Sequence, residues 1–115
     1  MTTTETLAER YERGLVFFEA RDYISAADVL GGVSAEEPGN LAVRMLLARA
    51  YYHSAQLRRA EEELRAAVAQ DPSDAYAHLL LGRTLQRQSR HGEAQGHLRL
   101  AAVLSGDPAY GEFAP

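Results

Sequence analysis

The sequence contains no cysteine, which excludes a disulfide framework and any thiolate-bound metal. It contains no lysine either, so all twelve basic residues are arginine. Codon usage in a GC-rich genome explains that bias more simply than a selected role in binding. No apolar run reaches the roughly eighteen residues that a membrane-spanning helix needs, so no membrane partner is expected. The opening MTTTETLAER has no basic region followed by an apolar stretch, and no secretory signal is expected. Together with the missing cysteine, this fits a cytoplasmic protein. Basic groups are outnumbered, 12 against 16 acidic, for a net charge of −4. That balance argues against a nucleic-acid partner, which would require a basic face for the phosphates.

What is present is a period. The chain has 115 residues, 46% of them hydrophobic and 24% charged, enough for one continuous core. Leu41 to Ser54 and Leu57 to Gln70 read as two amphipathic helices, closed by Asp71-Pro72-Ser73-Asp74. The same pattern fits residues 7–40 and 75–108, a shift of 34 positions in each direction. A first helix is expected over about Glu5 to Ala20, where Leu7, Tyr11, Leu15 and Phe18 recur at helical spacing. Asp22 is placed to cap the second helix, and Asn40 the third. Gly31-Gly32 is expected to fray the end of the second helix, since each glycine costs about 1 kcal/mol relative to alanine. The last pair of helices is expected over about Ala75 to Gln88 and Gly92 to Leu104. Residues 1–6 read as a polar lead-in. Gly106, Pro108, Gly111 and Pro115 predict an extended tail over 109–115.

The repeating columns carry the diagnosis. Gly14, Ala48 and Gly82 are small residues in the first helix of each unit, and Ala26, Ala60 and Ala94 are small in the second. Close helix crossings need such residues. Leu30, Leu64 and Leu98 form a large apolar column, followed by Val33, Ala67 and Ala101. Phe17, Tyr51 and Leu85 form another, and Tyr23, Leu57 and His91 stand near the turn inside each hairpin. Pro38 and Pro72 close the first two units, while Pro108 arrives two residues late. These columns resemble the tetratricopeptide repeat family over Leu7 to Pro108. The departures are Arg13 in place of a leucine, His91 in place of an aromatic, and the displaced third proline.

The resemblance implies an all-α solenoid of three helix-turn-helix repeats, six helices in one domain, forming a right-handed superhelical arc. Its concave wall would be built from the first helix of each repeat. Family positions on that wall fall on Tyr11, Phe18, Met45, Arg49, Tyr52, His53, Tyr76, Leu79, Arg83 and Arg87, with Leu15, Leu46 and Leu80 expected to pack between helices. Tyr, Met and Arg are enriched at interfaces, and the arginine fork suits carboxylates. Tyr11, Phe18, Tyr52, Tyr76, Arg49, Arg83 and Arg87 are therefore expected to be exposed in a peptide groove. The family's basic clamp for chaperone carboxylate ends is not expected, because the matching positions hold Tyr11, Leu15, Leu46, Tyr76 and Leu80.

The expected function is a non-enzymatic protein-interaction module for a peptide or helix with apolar, aromatic and acidic residues. Two alternatives remain open. One is homo-oligomerisation through an uncapped third repeat and tail, with Leu98, Val103, Leu104, Tyr110 and Phe113 as contacts and Ala101 in the same strip. The other is a small client-specific chaperone. His53, His78, His91 and His97 lack metal-ligand spacing and read as surface or turn histidines. Glu61-Glu62-Glu63 reads as a solvated helix face. Neither a nucleophile signature nor a phosphate loop is present, so no catalytic residue, metal or cofactor is expected.

Overall fold

Four helices start where the sequence supplies an oxygen for their free amides. In the computed structural model, which describes residues 4–111, Thr6 caps α1 (Leu7–Glu19) through a capping box with Glu9. Asp22 accepts from the Ser25 amide at 3.1 Å and opens α2 (Tyr23–Glu36). Asn40 accepts from Val43 at 3.2 Å and opens α3 (Leu41–His53). α4 covers Leu57–Gln70. Asp74 accepts from Ala77 at 3.1 Å and opens α5 (Ala75–Arg87). α6 (His91–Ser105) ends on Gly106, whose positive φ of 74° suits a glycine. Thr6, Asn40 and Asp74 stand one repeat apart, so one capping device recurs three times. The described residues contain six α-helices and no strand. The fold is an all-α helical-repeat solenoid.

The hairpins turn on a shared backbone motif that propensity does not announce. Arg21, Ala55 and Ser89, again one repeat apart, adopt φ of 62°, 60° and 61°. In each hairpin the next residue's amide reaches back to the carbonyl five positions earlier: Asp22 to Phe17, Gln56 to Tyr51, and Arg90 to Leu85. The left-handed residue itself bonds to Phe18, Tyr52 or Gln86. This is a Schellman close without its usual glycine. A left-handed non-glycine residue costs roughly 1–2 kcal/mol, a cost that the two hydrogen bonds of each turn offset in part.

The helices divide into two compact units, Met1–Gln56 and Leu57–Pro115, with the boundary inside the second hairpin rather than between repeats. In the first unit Ala26, Ala27, Leu30, Leu46, Leu47 and Ala50 form the core, with Tyr11, Leu15, Phe17, Phe18 and Tyr51 packed against it. In the second, Leu64, Leu81, Leu85 and Leu98 are fully buried among Ala60, Ala67, Ala94 and Ala101. Burying one such leucine is worth about 1.5–3 kcal/mol. Small-against-large columns meet as their spacing suggests: Gly14 faces Leu30, and Gly82 faces Leu98.

Two local expectations are corrected. α2 does not fray at Gly31-Gly32 but runs through to Glu36. A Cβ on Gly32 would lie 2.6 Å from Nη2 of Arg10. The glycine therefore leaves room for Arg10 to cross and pair with Glu36, which ties the end of α2 to α1. The described part of the tail is not extended either, and residues 112–115 lie outside the described residues. Pro108–Gly111 forms a 3-10 turn (η1) that packs on α6, where a Cβ on Gly111 would lie 3.3 Å from Cβ of Ala102.

Candidate functional site

An aromatic and cationic cluster forms at one end of the first unit. Phe18 stands in the last turn of α1, Tyr23 opens α2, and Tyr52 and His53 close α3. The Schellman turn at Arg21 reverses the chain within a few residues, which carries Tyr23 back to Phe18. Their rings meet edge-to-face at 5.2 Å. His53 stacks on Tyr23 at 4.7 Å, faces Phe18 edgewise at 6.1 Å and meets Tyr52 at 5.6 Å. Arg49, one helical turn before His53, holds its guanidinium 4.8 Å from the centre of the Phe18 ring. That cation–π contact contributes roughly 0.5–2 kcal/mol, depending on exposure.

Arg49 is distinctive for what it does not touch. It is half-buried, yet among the described residues its guanidinium makes neither a hydrogen bond nor an ion pair. Other arginines are satisfied: Arg10 by Glu36, Arg13 by Glu5, and Arg65 and Arg90 by Glu61 and Glu93. A planar fork of five donors fixed over a ring, with no acceptor, is arranged to take a carboxylate.

The remaining expected residues are dispersed. Tyr11 packs on the core and lines a separate cavity of about 240 Å³ with Leu7, Val33 and Val43, edged by Glu37 and Asn40. Phe18 likewise packs on the core and is half-buried, so neither ring stands free as expected. Met45 and Tyr52 are half-buried, and His53 is exposed. Leu46 and Leu80 are each only 7% exposed, and Leu15 lies against the first core. In the second unit α5 presents an exposed Tyr76, half-buried Leu79 and Arg83, and an exposed Arg87. Arg83 donates to Oε1 of Gln86 at 3.3 Å. Tyr23 joins the cluster although its column suggested only a hairpin position.

The strip expected at the end of the third repeat is corrected. Leu98 and Ala101 are 0% exposed, because their side of α6 packs on α5. Val103 is 78% exposed and Leu104 39%, joined by Leu100 at 41%. Tyr110 is half-buried in η1, and Phe113 lies outside the described residues. Two further expectations change. Glu61 is not simply solvated: its side chain is 12% exposed and accepts from Arg65 at 2.8 Å, Arg90 at 2.7 Å and Gln88 at 3.0 Å. Burial opposes its ionisation, but the hydrogen bonds and charges of these partners prevail and hold the carboxyl below its ordinary value. His78 is not a surface histidine, being 3% exposed and in contact with His97. Among the described residues no group of three or more side chains could hold a metal ion, and no helix is long and apolar enough to cross a membrane.

Residues 17–84, more than half of the chain, match the model of a tetratricopeptide repeat. The chain belongs to the tetratricopeptide repeat family. No curated protein is similar enough to match it. Among solved structures, one of MamA superposes with a TM-score of 0.82 at 22% identity, covering 89% of this chain and 74% of that one. MamA from Desulfovibrio magneticus RS-1 gives 0.82 at 28% identity over 89% of this chain and 58% of its own. YrrB, described as a TPR protein with an unusual peptide-binding site, gives 0.87 at 19% identity, covering 94% and 56%. A chain in the CopN–Scc3 complex gives 0.82 at 21% identity, covering 94% and 64%. This tetratricopeptide repeat chain spans less than two thirds of most of these structures.

Proposed function

We propose that this chain is a non-enzymatic protein-interaction module whose first unit anchors a peptide bearing an apolar or aromatic side chain next to an acidic one. The observation that carries the reading is Arg49, half-buried over Phe18 with no acceptor of its own. Phe18, Tyr23, Tyr52 and His53 supply an apolar and aromatic floor beside it. A carboxylate arriving there exchanges water for a bidentate partner in a partly dehydrated setting, where charge-assisted bonds are strongest. The relatives fit this class of work: one is described by its peptide-binding site, and another is part of a two-protein complex.

The test is selection of peptides from a random library on the purified chain, followed by titration of the winners against wild type and Arg49→Glu. Selected peptides should share an acidic residue beside an aromatic or aliphatic one. Charge reversal should weaken them at least thirtyfold, the effect of about 2 kcal/mol or more lost with a desolvated charge pair. Helicity should be unchanged. Winners without acidic residues, or equal affinity for the variant, would remove the reading.

A second reading, self-association through α6, rests on Leu100, Val103 and Leu104. They lie at helical spacing on one exposed face. The equivalent positions of the other repeats hold Gly32 and Ala66, Ala35 and Ala69, and Glu36 and Gln70, so the apolar change is confined to the last helix. Light scattering on Val103→Glu decides it. An oligomeric wild type that becomes monomeric in the variant supports an assembly face. A monomeric wild type eliminates it.

A further inference from the structure

His78 on α5 is buried, and both of its ring nitrogens are engaged. Nε2 lies 2.9 Å from the carbonyl oxygen of Pro72, in the turn before α5. A carbonyl only accepts, so Nε2 carries a hydrogen. Nδ1 lies 3.1 Å from Nδ1 of His97 on α6, with the rings 23° from parallel and their centres 5.4 Å apart. One hydrogen can occupy that line; two cannot, since two N–H groups would then point at each other. A neutral pair satisfies it when His97 donates from Nδ1 to a bare Nδ1 of His78. A singly charged pair satisfies it as well. Two imidazolium rings do not.

The charged groups around the pair come from each neighbouring element. Arg65 on α4 opposes protonation of His97, whereas Glu93, one turn earlier on α6, favours it. The Glu93 carboxylate is already engaged by Arg65 and Arg90. In the turn that carries Pro72, an Asp71 oxygen is occupied by Ser73 and an Asp74 oxygen by the Ala77 amide. Glu93 is thus the acid that favours a charge on His97, and it is already shared between two arginines.

We infer that His78 and His97 form an acid-released latch, which at neutral pH fastens α6 and the Pro72 turn to α5. Burial first, then the charges of His78 and Arg65, hold His97 below the ordinary histidine value of 6.5. The sign follows. The closed pair has room for one added proton, whereas an opened or unfolded chain has room for two. The closed state binds fewer protons, so its stability is present above that value and is lost on acidification. Each excluded proton multiplies the opening constant by up to about tenfold per pH unit. The two histidines are nineteen positions apart on different helices, so the latch spans the third repeat's hairpin.

The test uses the full chain. Long-range nitrogen–proton NMR at about pH 7.5 reads the tautomers. Amide exchange of α6, corrected for intrinsic rates, is then followed down to about pH 5, with α1–α3 as internal reference. The expected result is an Nε2–H tautomer for His78 and an Nδ1–H tautomer for His97, with α6 opening rising steeply below about pH 6. In His97→Asn the side-chain amide can donate to His78, or turn and accept from it, so the rise should flatten. Any other pair of tautomers overturns the latch, as does an equal acid response in His97→Asn. Should that variant fail to fold, the wild-type tautomers still decide.

Discussion

Leu98→Ala is expected to destabilise the protein by about 3–4 kcal/mol, measured by urea unfolding followed by circular dichroism. Leu98 is 0% exposed, and its Cδ2 lies 2.6 Å from where a Cβ on Gly82 would stand, so the side chain lies directly on the α5 backbone. Truncation removes the apolar contact and leaves a cavity that neighbouring Ala94 and Ala101 are too short to fill. For a chain of this length, with a total stability of about 6–17 kcal/mol, the loss is a large share. A change below about 1 kcal/mol would mean that Leu98 faces solvent, as its place in the final repeat first suggested. Because Leu98 is a core residue, a charge there would test folding, and only Val103, 78% exposed, can test assembly.

Gly82→Ala should also destabilise, by about 2 kcal/mol, although alanine is the better helix former by about 1 kcal/mol. The added Cβ would sit 2.6 Å and 2.7 Å from Cδ2 and Cγ of Leu98, and 3.3 Å from the Ala94 carbonyl oxygen. The leucine is enclosed and cannot swing aside, and the carbonyl belongs to the α6 backbone. The two helices must therefore separate. Gly96→Ala provides the contrast: it also lies inside α6, but nothing stands within 4 Å of its Cβ direction. There the intrinsic preference acts alone and stability should rise by about 1 kcal/mol. Opposite signs in thermal unfolding are the expected outcome. Stabilisation by both substitutions would show that α5 and α6 do not approach closely at Gly82.

The part of the fold that was legible is the part governed by local chemistry. Asp22 and Asn40 cap helices because a short side-chain oxygen before an apolar run has few other uses. The pairing of Gly82 with Leu98 was visible as columns, but its consequence was not. The expectation of an uncapped third repeat placed Leu98 in a bare strip, whereas α5 already covers that side of α6. Of the aromatic and cationic cluster, Phe18, Arg49, Tyr52 and His53 were expected on one wall from the family resemblance. Tyr23 was not, because its role depends on a left-handed Arg21, a residue that carries no left-handed signal.

The sequence by itself determined the repeat and the starts of α2 and α3, because periodicity and capping act within a turn or two of chain, and its family resemblance pointed to the all-α solenoid class. Only the tertiary structure decided which polar groups meet. Glu61 joins Gln88 and Arg90 across 27 and 29 positions, and His78 joins His97 across 19. The same structure left Arg49 without a carboxylate while satisfying Arg10, Arg13, Arg65 and Arg90. Composition counts charges of each sign. Whether one is paired depends on which helix packs against it, and that is set by the burial of leucines elsewhere in the chain.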